Sequence, residues 1–417
     1  FMKAIKNRNT RHPKFGNRLY RNDNNKFVDV SEAAGIYGGW LNFGLSVSIS
    51  DLNNDHYPDL YVSNDFDEQD FLYINNGDGT FRQCLEKSFG HISKFTMGSD
   101  IADFNNDLLP DVITLDMLPE DNYRQKLLEG PDAYDKYYFF VNQGYHYQQM
   151  RNMLHLNRGL NDEGLPVFSE IGQLAGVEKT DWSWSSLFGD YDNDGYKDLF
   201  ITNGFVRDLT NLDFQKYDYE ELSRQALKEG KDVSTREGKE MRFKWLDKIP
   251  SVKVSNYMYK NGGNLLFQDK TKEWGMYEPL ISTGAVYADL DNDGDLDLVT
   301  NNTNDAAGIY QNNTNKVSKN HYVKVKLEGT GKNKYGIGSK VYVTTGSNQQ
   351  FAEAYPARGY LSSVDHTLHF GTGEYTSIES VKIIWPDKTI SLIKNLRTDT
   401  ILTVKQVLAQ KDADTIQ

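Results

Sequence analysis

Nine residues, Asp190-Tyr191-Asp192-Asn193-Asp194-Gly195-Tyr196-Lys197-Asp198, carry the chemistry most open to interpretation. Acidic side chains at positions 1, 3, 5 and 9 converge on one point if the backbone curls around it, and calcium takes six to eight such oxygens in irregular geometry. Gly195 at position 6 suits the sharp turn, where a positive φ costs a glycine little. An EF-hand would place a bidentate Glu at position 12 and continue as a helix. Here position 12 is Ile201, within Leu199-Phe200-Ile201-Thr202, a β-branched and aromatic run that predicts a strand.

The same pattern occurs three more times. Asp51, Asn53, Asp55 and Asp59 form one copy, Asp103, Asn105, Asp107 and Asp111 another, and Asp289, Asp291, Asp293 and Asp297 the last. Position 7 completes each expected ligand set with Tyr57, Leu109, Tyr196 and Asp295. An Asp/Asn-rich turn that caps its own backbone accounts for a single copy, but not for four in phase. The first two copies have His56 and Leu108 in place of the glycine and three carboxylates instead of four, so they are expected to bind a cation more weakly.

Composition agrees with this. The formal charge is −13, and the four loops hold fifteen of the carboxylates; four Ca2+ ions would leave −5. Acidity is thus largely a property of the loops, which excludes nucleic acid as the expected partner. Cys84 is the single cysteine, so no intrachain disulfide forms. Calcium loops of this kind suit millimolar extracellular calcium. No stretch reaches the ~18 apolar residues of a membrane span, and the start, Phe1-Met2-Lys3-Ala4, reads as neither a signal peptide nor a true beginning.

A second element precedes each loop: Leu19-Tyr20-Arg21-Asn22, Leu72-Tyr73-Ile74-Asn75, Leu154-His155-Leu156-Asn157 and Met258-Tyr259-Lys260-Asn261, each followed by Phe27, Phe81, Phe168 or Phe267. From the first residue of the element to the first loop Asp the distances are 32, 31, 36 and 31 residues. A period of this size, filled by short strands, predicts propeller blades. Two insertions, 117–153 and 204–257, enter at the same phase, so they should be neighbours on one face. The first is crowded with Tyr134, Tyr137, Tyr138, Phe139, Phe140, Tyr145 and Tyr147; the second contains a helix former from Tyr219 to Lys228, stopped by Gly230. A fifth unit begins at Ile309-Tyr310-Gln311-Asn312 without reaching a loop. After Asn320 the texture changes. His321–Leu327, Val341–Val343, Thr367–Phe370, Val381–Trp385 and Ile401–Val404 predict a separate small β-sandwich or open barrel. The expected division is 1–318 for the blades, 319–407 for the small domain and 408–417 for a tail.

The unit resembles the FG-GAP/VCBS repeat. The segments Gly336-Ile337-Gly338-Ser339-Lys340-Val341, Leu368-His369-Phe370-Gly371 and Trp385-Pro386-Asp387 resemble the ASPIC/UnbV domain. The combination is similar to the cartilage acidic protein family, and Asp116–Asp121 with Thr180–Trp184 resemble its bacterial surface members. This resemblance implies an all-β fold: a seven-bladed β-propeller with Ca2+ in about four blade loops, of which this chain shows four full blades and a partial fifth as its C-terminal part. It also implies an extracellular, periplasmic or cell-surface setting, with a bacterial source favoured and attachment to an outer-membrane or surface complex as one arrangement.

For function, the expectation is a calcium-binding module that recognises protein or glycan through the two insertions. The alternative is a calcium-stabilised enzyme acting on polysaccharide or peptide at the propeller mouth. No Ser/His/Asp or Cys/His grouping can be assembled from the sequence. His366 and His369, three apart on a strand, face opposite sides, and Trp182 with Trp184 read as core packing.

Overall fold

The computed structural model describes residues 5–8, 10–130, 134–230 and 235–411. Three antiparallel four-stranded sheets follow one another in the chain. The first runs Gly44–Ser50, Asp59–Asn64, Phe71–Asn75, Phe81–Gln83, each strand paired with its sequence neighbour. The second is built from Ser99–Ala102, Asp111–Thr114, Met153–Leu160 and Pro166–Glu170, and the third from Ser183–Gly189, Asp198–Asn203, Tyr257–Asn261 and Phe267–Asp269. A fourth sheet has three strands, Ser282–Ala288, Asp297–Asn302 and Gly308–Tyr310. Before them all, Tyr20–Asp23 and Lys26–Asp29 form a two-stranded hairpin that pairs with no other described strand.

The acidic loop of each sheet joins its first and second strands, and the Leu-Tyr-x-Asn element is its third strand. The repeat read from spacing therefore cuts the chain between the second and third strands, whereas hydrogen bonding cuts it between the fourth strand and the next first strand. The regular spacing runs from one third strand to the next acidic loop and so crosses the sheet boundary, while the two insertions interrupt the stretch from loop to third strand; only the pairing reveals the boundary.

The sheets pack face to face through one position of the loop. The residue after the first Asp is Leu52, Phe104 or Tyr191 in the first three loops, and these are 1%, 0% and 3% exposed. Leu52 packs with Leu165 and Phe168 of the second sheet, Phe104 with Phe267 of the third, and Tyr191 with Leu296 and Leu298 near the fourth. Leu290, at the same position of the last loop, is 53% exposed. Burying such a side chain contributes roughly 1.5–3 kcal/mol, which places apolar residues at this position of an otherwise acidic loop.

The C-terminal strands form two sheets around a separate core. Leu368–Gly373, His321–Glu328 and Thr400–Lys405 make one; Asn348–Glu353, Lys340–Thr345, Ser377–Ile384, Thr389–Arg397 and Gln410–Lys411 make the other. The alternation expected for His321–Leu327 is present: Val323, Val325 and Leu327 point inward, against Val341, Val343, Phe370, Val381, Ile383 and Trp385. Two sheets facing one apolar layer make this unit sandwich-like. Of residues 408–417, Gln410 and Lys411 pair with Thr389–Ile390, and 412–417 lie outside the described residues.

Both insertions contain helices. The first contains the helices Asn122–Leu128 and Tyr134–Asn142; the second contains Tyr219–Lys228, as its helix-forming sequence predicts, and Arg236–Leu246. They are neighbours: Arg124 of the first bonds Asp208 of the second through two contacts of 3.2 Å, and also holds Asp181 at 2.5 and 3.0 Å.

Candidate metal centres

Each acidic loop is wound by its own side chains. Oδ1 of the first Asp accepts the main-chain N–H of position 5, and Oδ2 that of position 6: Asp51 from Asp55 and His56, Asp103 from Asp107 and Leu108, Asp190 from Asp194 and Gly195, Asp289 from Asp293 and Gly294. The position-5 carboxylate takes the N–H of position 7, from Tyr57, Leu109, Tyr196 and Asp295 in turn. Position 6 has positive φ in all four loops, at 72° for His56, 70° for Leu108 and 97° for both Gly195 and Gly294. The first two loops thus hold ordinary L-residues where glycine relieves strain.

Position 9 links the two recurring elements of the sequence. Oδ1 of Asp59, Asp111, Asp198 and Asp297 accepts the main-chain N–H of Asn75, Asn157, Asn261 and Asn312 at 2.8 Å in every sheet. The side chain of that Asn then reaches the preceding sheet: Asn157 donates to the carbonyl of Leu52 (3.4 Å), Asn261 to that of Phe104 (2.7 Å) and Asn312 to that of Tyr191 (2.6 Å).

Sequence reasoning missed position 4. It is Asn54, Asn106, Asn193 and Asn292, with φ between 58° and 62°, the left-handed conformation that Asn tolerates best after glycine. Asn106 donates to the carbonyl of Gly195 and Asn193 to that of Gly294, so the second loop is tied to the third and the third to the fourth. The signal was present, because all four copies carry Asn there.

Ligand-type oxygens of Asp190, Asp192 and Asp194 lie within 4.8 Å of one another, as do those of Asp289, Asp291 and Asp297. Both groups offer only oxygen and carry a surplus of negative charge, the donor set of a hard cation. In the first two loops an amide replaces the position-3 carboxylate: Asn53 donates to Asp55 at 2.8 Å and Asn105 to Asp107 at 2.9 Å. Among the described residues those two loops bring no three carboxylates together. Asp295 of the last loop is turned to its neighbours, accepting from Asn193 (2.9 Å) and from the N–H of Asn315 (2.7 Å). Burial, reinforced by the adjacent carboxylates, pushes Asp190 and Asp198 well above the ordinary range. Burial also lifts Asp59 to about 8 and Asp103 to about 6. Carboxylates desolvated this closely call for positive charge.

Part of that charge comes from lysines. Lys340 and Lys324, both from the C-terminal unit, reach Oδ2 of Asp51 (2.6 Å) and of Asp289 (2.5 Å). Lys197 donates to the carbonyls of Asp103 and Phe351, and Lys260 bridges Asp192 and Asp194. The C-terminal unit therefore sits on the loop-bearing face. His369 bonds Asn193 at 2.6 Å, and the N–H of Gly373 bonds the Asn193 carbonyl at 2.9 Å. His366 instead stacks on Tyr335, so the two histidines do not form a ligand pair.

From the same unit, residues 357–363 run along the first strands of all four sheets. Gly359 bridges Ser99 and accepts from Ser46, the N–H of Tyr360 donates to Ser185, and Ser362–Ser363 packs on Ser282–Ala288. A Cβ on Gly359 would meet Ser185 Oγ at 2.2 Å, and its φ is 68°, so the close approach requires glycine. Trp184 packs on Tyr360 at 4.9 Å and Trp182 stacks on Phe205 at 4.3 Å, but both are half-buried, so they pack against surface segments and not in a core as expected.

Residues 51–114, the first two acidic loops, match the FG-GAP-like repeat, and residues 329–411 match the ASPIC and UnbV family. Cartilage acidic protein 1 from Homo sapiens is 23% identical over 399 residues, covering 93% of this chain and 47% of the relative. The Mus musculus protein of the same name is 26% identical over 193 residues, covering 41% and 28%. The chain spans about half the length of the human relative. The protein thus joins FG-GAP-like repeats of a β-propeller type to an ASPIC/UnbV domain, and it is a distant homologue of cartilage acidic protein 1.

Proposed function

We propose that this chain is a calcium-binding, extracellular interaction module, with residues 1–318 as the repeat array and 319–407 as the domain that caps its loop face. One observation carries the reading: four loops share a single pattern of main-chain N–H to carboxylate bonds that leaves further oxygens for a cation. Asp190, Asp192, Asp194 and Asp198, and Asp289, Asp291, Asp293 and Asp297, would hold the ion in the last two loops. Asp51, Asn53, Asp55 and Asp59, and Asp103, Asn105, Asp107 and Asp111, would hold it more weakly in the first two. The carbonyls of Tyr57, Leu109, Tyr196 and Asp295 would complete the sets. Bound calcium would supply the positive charge that these buried carboxylates lack.

An extracellular setting is supported by the relatives, named for cartilage, and by calcium loops suited to millimolar concentrations. Among the described residues no helix is long and apolar enough to cross a membrane. A protein or glycan partner would meet the paired insertions, where Tyr134, Tyr138 and Tyr147 are exposed on and beside the helix Tyr134–Asn142. Aromatic side chains of this kind are enriched at recognition surfaces. Chemistry along the first strands of the sheets has less support, because the carboxylate there, Asp100, is held by Arg358. Equilibrium dialysis against labelled calcium tests the reading. Saturable binding that falls on Asp190→Asn and Asp289→Asn is expected, and no saturable binding would overturn it.

A further inference from the structure

We infer that Lys260 is a tethered cation that competes with calcium for the third loop, so that this site is the one regulated by a residue of the fold itself. This rests on the calcium reading above. Lys260 lies at the fourth position of the third strand of its sheet, directly before Asn261. Its Nζ bridges Oδ2 of Asp192 and Oδ2 of Asp194, the latter at 2.8 Å. Those are the oxygens the loop leaves free: Oδ1 of Asp192 takes the N–H of Asp194, and Oδ1 of Asp194 takes the N–H of Tyr196. The ammonium therefore occupies two of the three carboxylates grouped at this site.

The other lysines of the loop face act differently. Lys324 and Lys340 sit on Oδ2 of position-1 carboxylates, which already accept a main-chain N–H, and Lys197 donates only to carbonyls. At the place of Lys260 the other sheets have Ile74, Leu156 and Gln311. Ile74 and Leu156 accompany loops whose position 3 is Asn; Gln311 accompanies Asp291 and donates to it at 2.6 Å. A polar donor thus appears at this strand position where position 3 of the loop is a carboxylate, and only in the third sheet does that donor carry a full charge. The side chain is long and part-exposed, so it can swing out when a divalent ion arrives, at the cost of its ion pairs. With little calcium the third loop is held by Lys260; with abundant calcium the ion replaces it.

Calorimetric calcium titration of the full chain and of Lys260→Met tests this. Met is close in shape to the Ile and Leu at the equivalent places, and Lys260→Gln, copying Gln311, serves as the second variant. The expected result is one binding event tightened by about tenfold in both variants. That gain should be absent when Asp190→Asn is added, and melting in chelator should fall below that of the parent. Titrations that superimpose on the parent, or bind more weakly, overturn the proposal while leaving calcium binding intact. Absence of any calcium heat from all proteins overturns both readings together.

Discussion

Arg358, carried by the C-terminal domain, holds Asp100 on the first strand of the second sheet through two hydrogen bonds of 2.7 Å, with further bonds to Tyr287 and the Ile101 carbonyl. Both charges are shielded from water, so removing one strands the other. Breaking a buried pair in this way costs about 3–5 kcal/mol. Arg358→Met is expected to lower the urea midpoint accordingly and to separate the unfolding of the domain from that of the repeats. Adding Asp100→Asn should recover part of the loss. A single unchanged transition in Arg358→Met would show that the pair does not join the two units.

Asn261 tests the link between neighbouring sheets. Its side chain donates to the carbonyls of Phe104 and Lys197 and accepts from the N–H of Gly263. Asn261→Ala leaves those buried groups without partners, which costs about 1–3 kcal/mol for each unsatisfied group. Asn22, at the equivalent place in the exposed first hairpin, should tolerate the same change within about 0.5 kcal/mol. Equal losses at both positions in chemical denaturation would contradict this account of the repeat.

Much of this was legible in the chain. Asp at 1, 5 and 9 gave the loops, and alternation in His321–Leu327 gave a strand with the correct inward face. The helix Tyr219–Lys228 was readable because it combines strong formers with a terminating Gly230. Blade boundaries were hidden because spacing between Leu-Tyr-x-Asn and the next loop is as regular as pairing within a sheet. The seating of Lys324, Lys340 and Arg358 on the loops and on the first strand of the second sheet was hidden for another reason. Those contacts join residues more than 30 and as many as about 290 positions apart, and no local pattern encodes them.

Position 6 gives a conformational prediction. His56 is exposed and held at φ 72° by the bond from its N–H to Asp51. An L-residue there costs roughly 1–2 kcal/mol, offset by the greater chain entropy of glycine, about 0.5–1 kcal/mol. His56→Gly is therefore expected to stabilise by up to about 1 kcal/mol, and Gly195→Ala at φ 97° to destabilise by about as much or more. Thermal denaturation of the two variants in the same calcium concentration checks the opposite signs.

The acid limb of stability has identifiable sources. Burial pushes His155 down to about 3, against about 6.5 in an unfolded chain. As pH falls from about 6.5 to about 3 the unfolded chain takes up a proton that the folded one refuses, so stability declines by at most about 1.4 kcal/mol per pH unit. Glu170 adds to this at lower pH. Burial opposes its ionisation, but hydrogen bonds from His91, the Gly172 N–H and Arg151 bring it to about 2, so its contribution is lost below about 4.5. His155→Gln should flatten the slope of the urea midpoint between pH 6.5 and 5. An unchanged slope would place the acid sensitivity elsewhere.

The central claim, that calcium in the acidic loops supports the fold, is tested most directly by melting the full chain in saturating calcium and then in chelator, with metal removal verified by elemental analysis. A ligand at ~100 times its dissociation constant contributes about 2.7 kcal/mol per site. The expected result is a Tm lower by several degrees or more in chelator, restored when calcium is returned; a melting curve unchanged by verified removal of the metal would contradict the account.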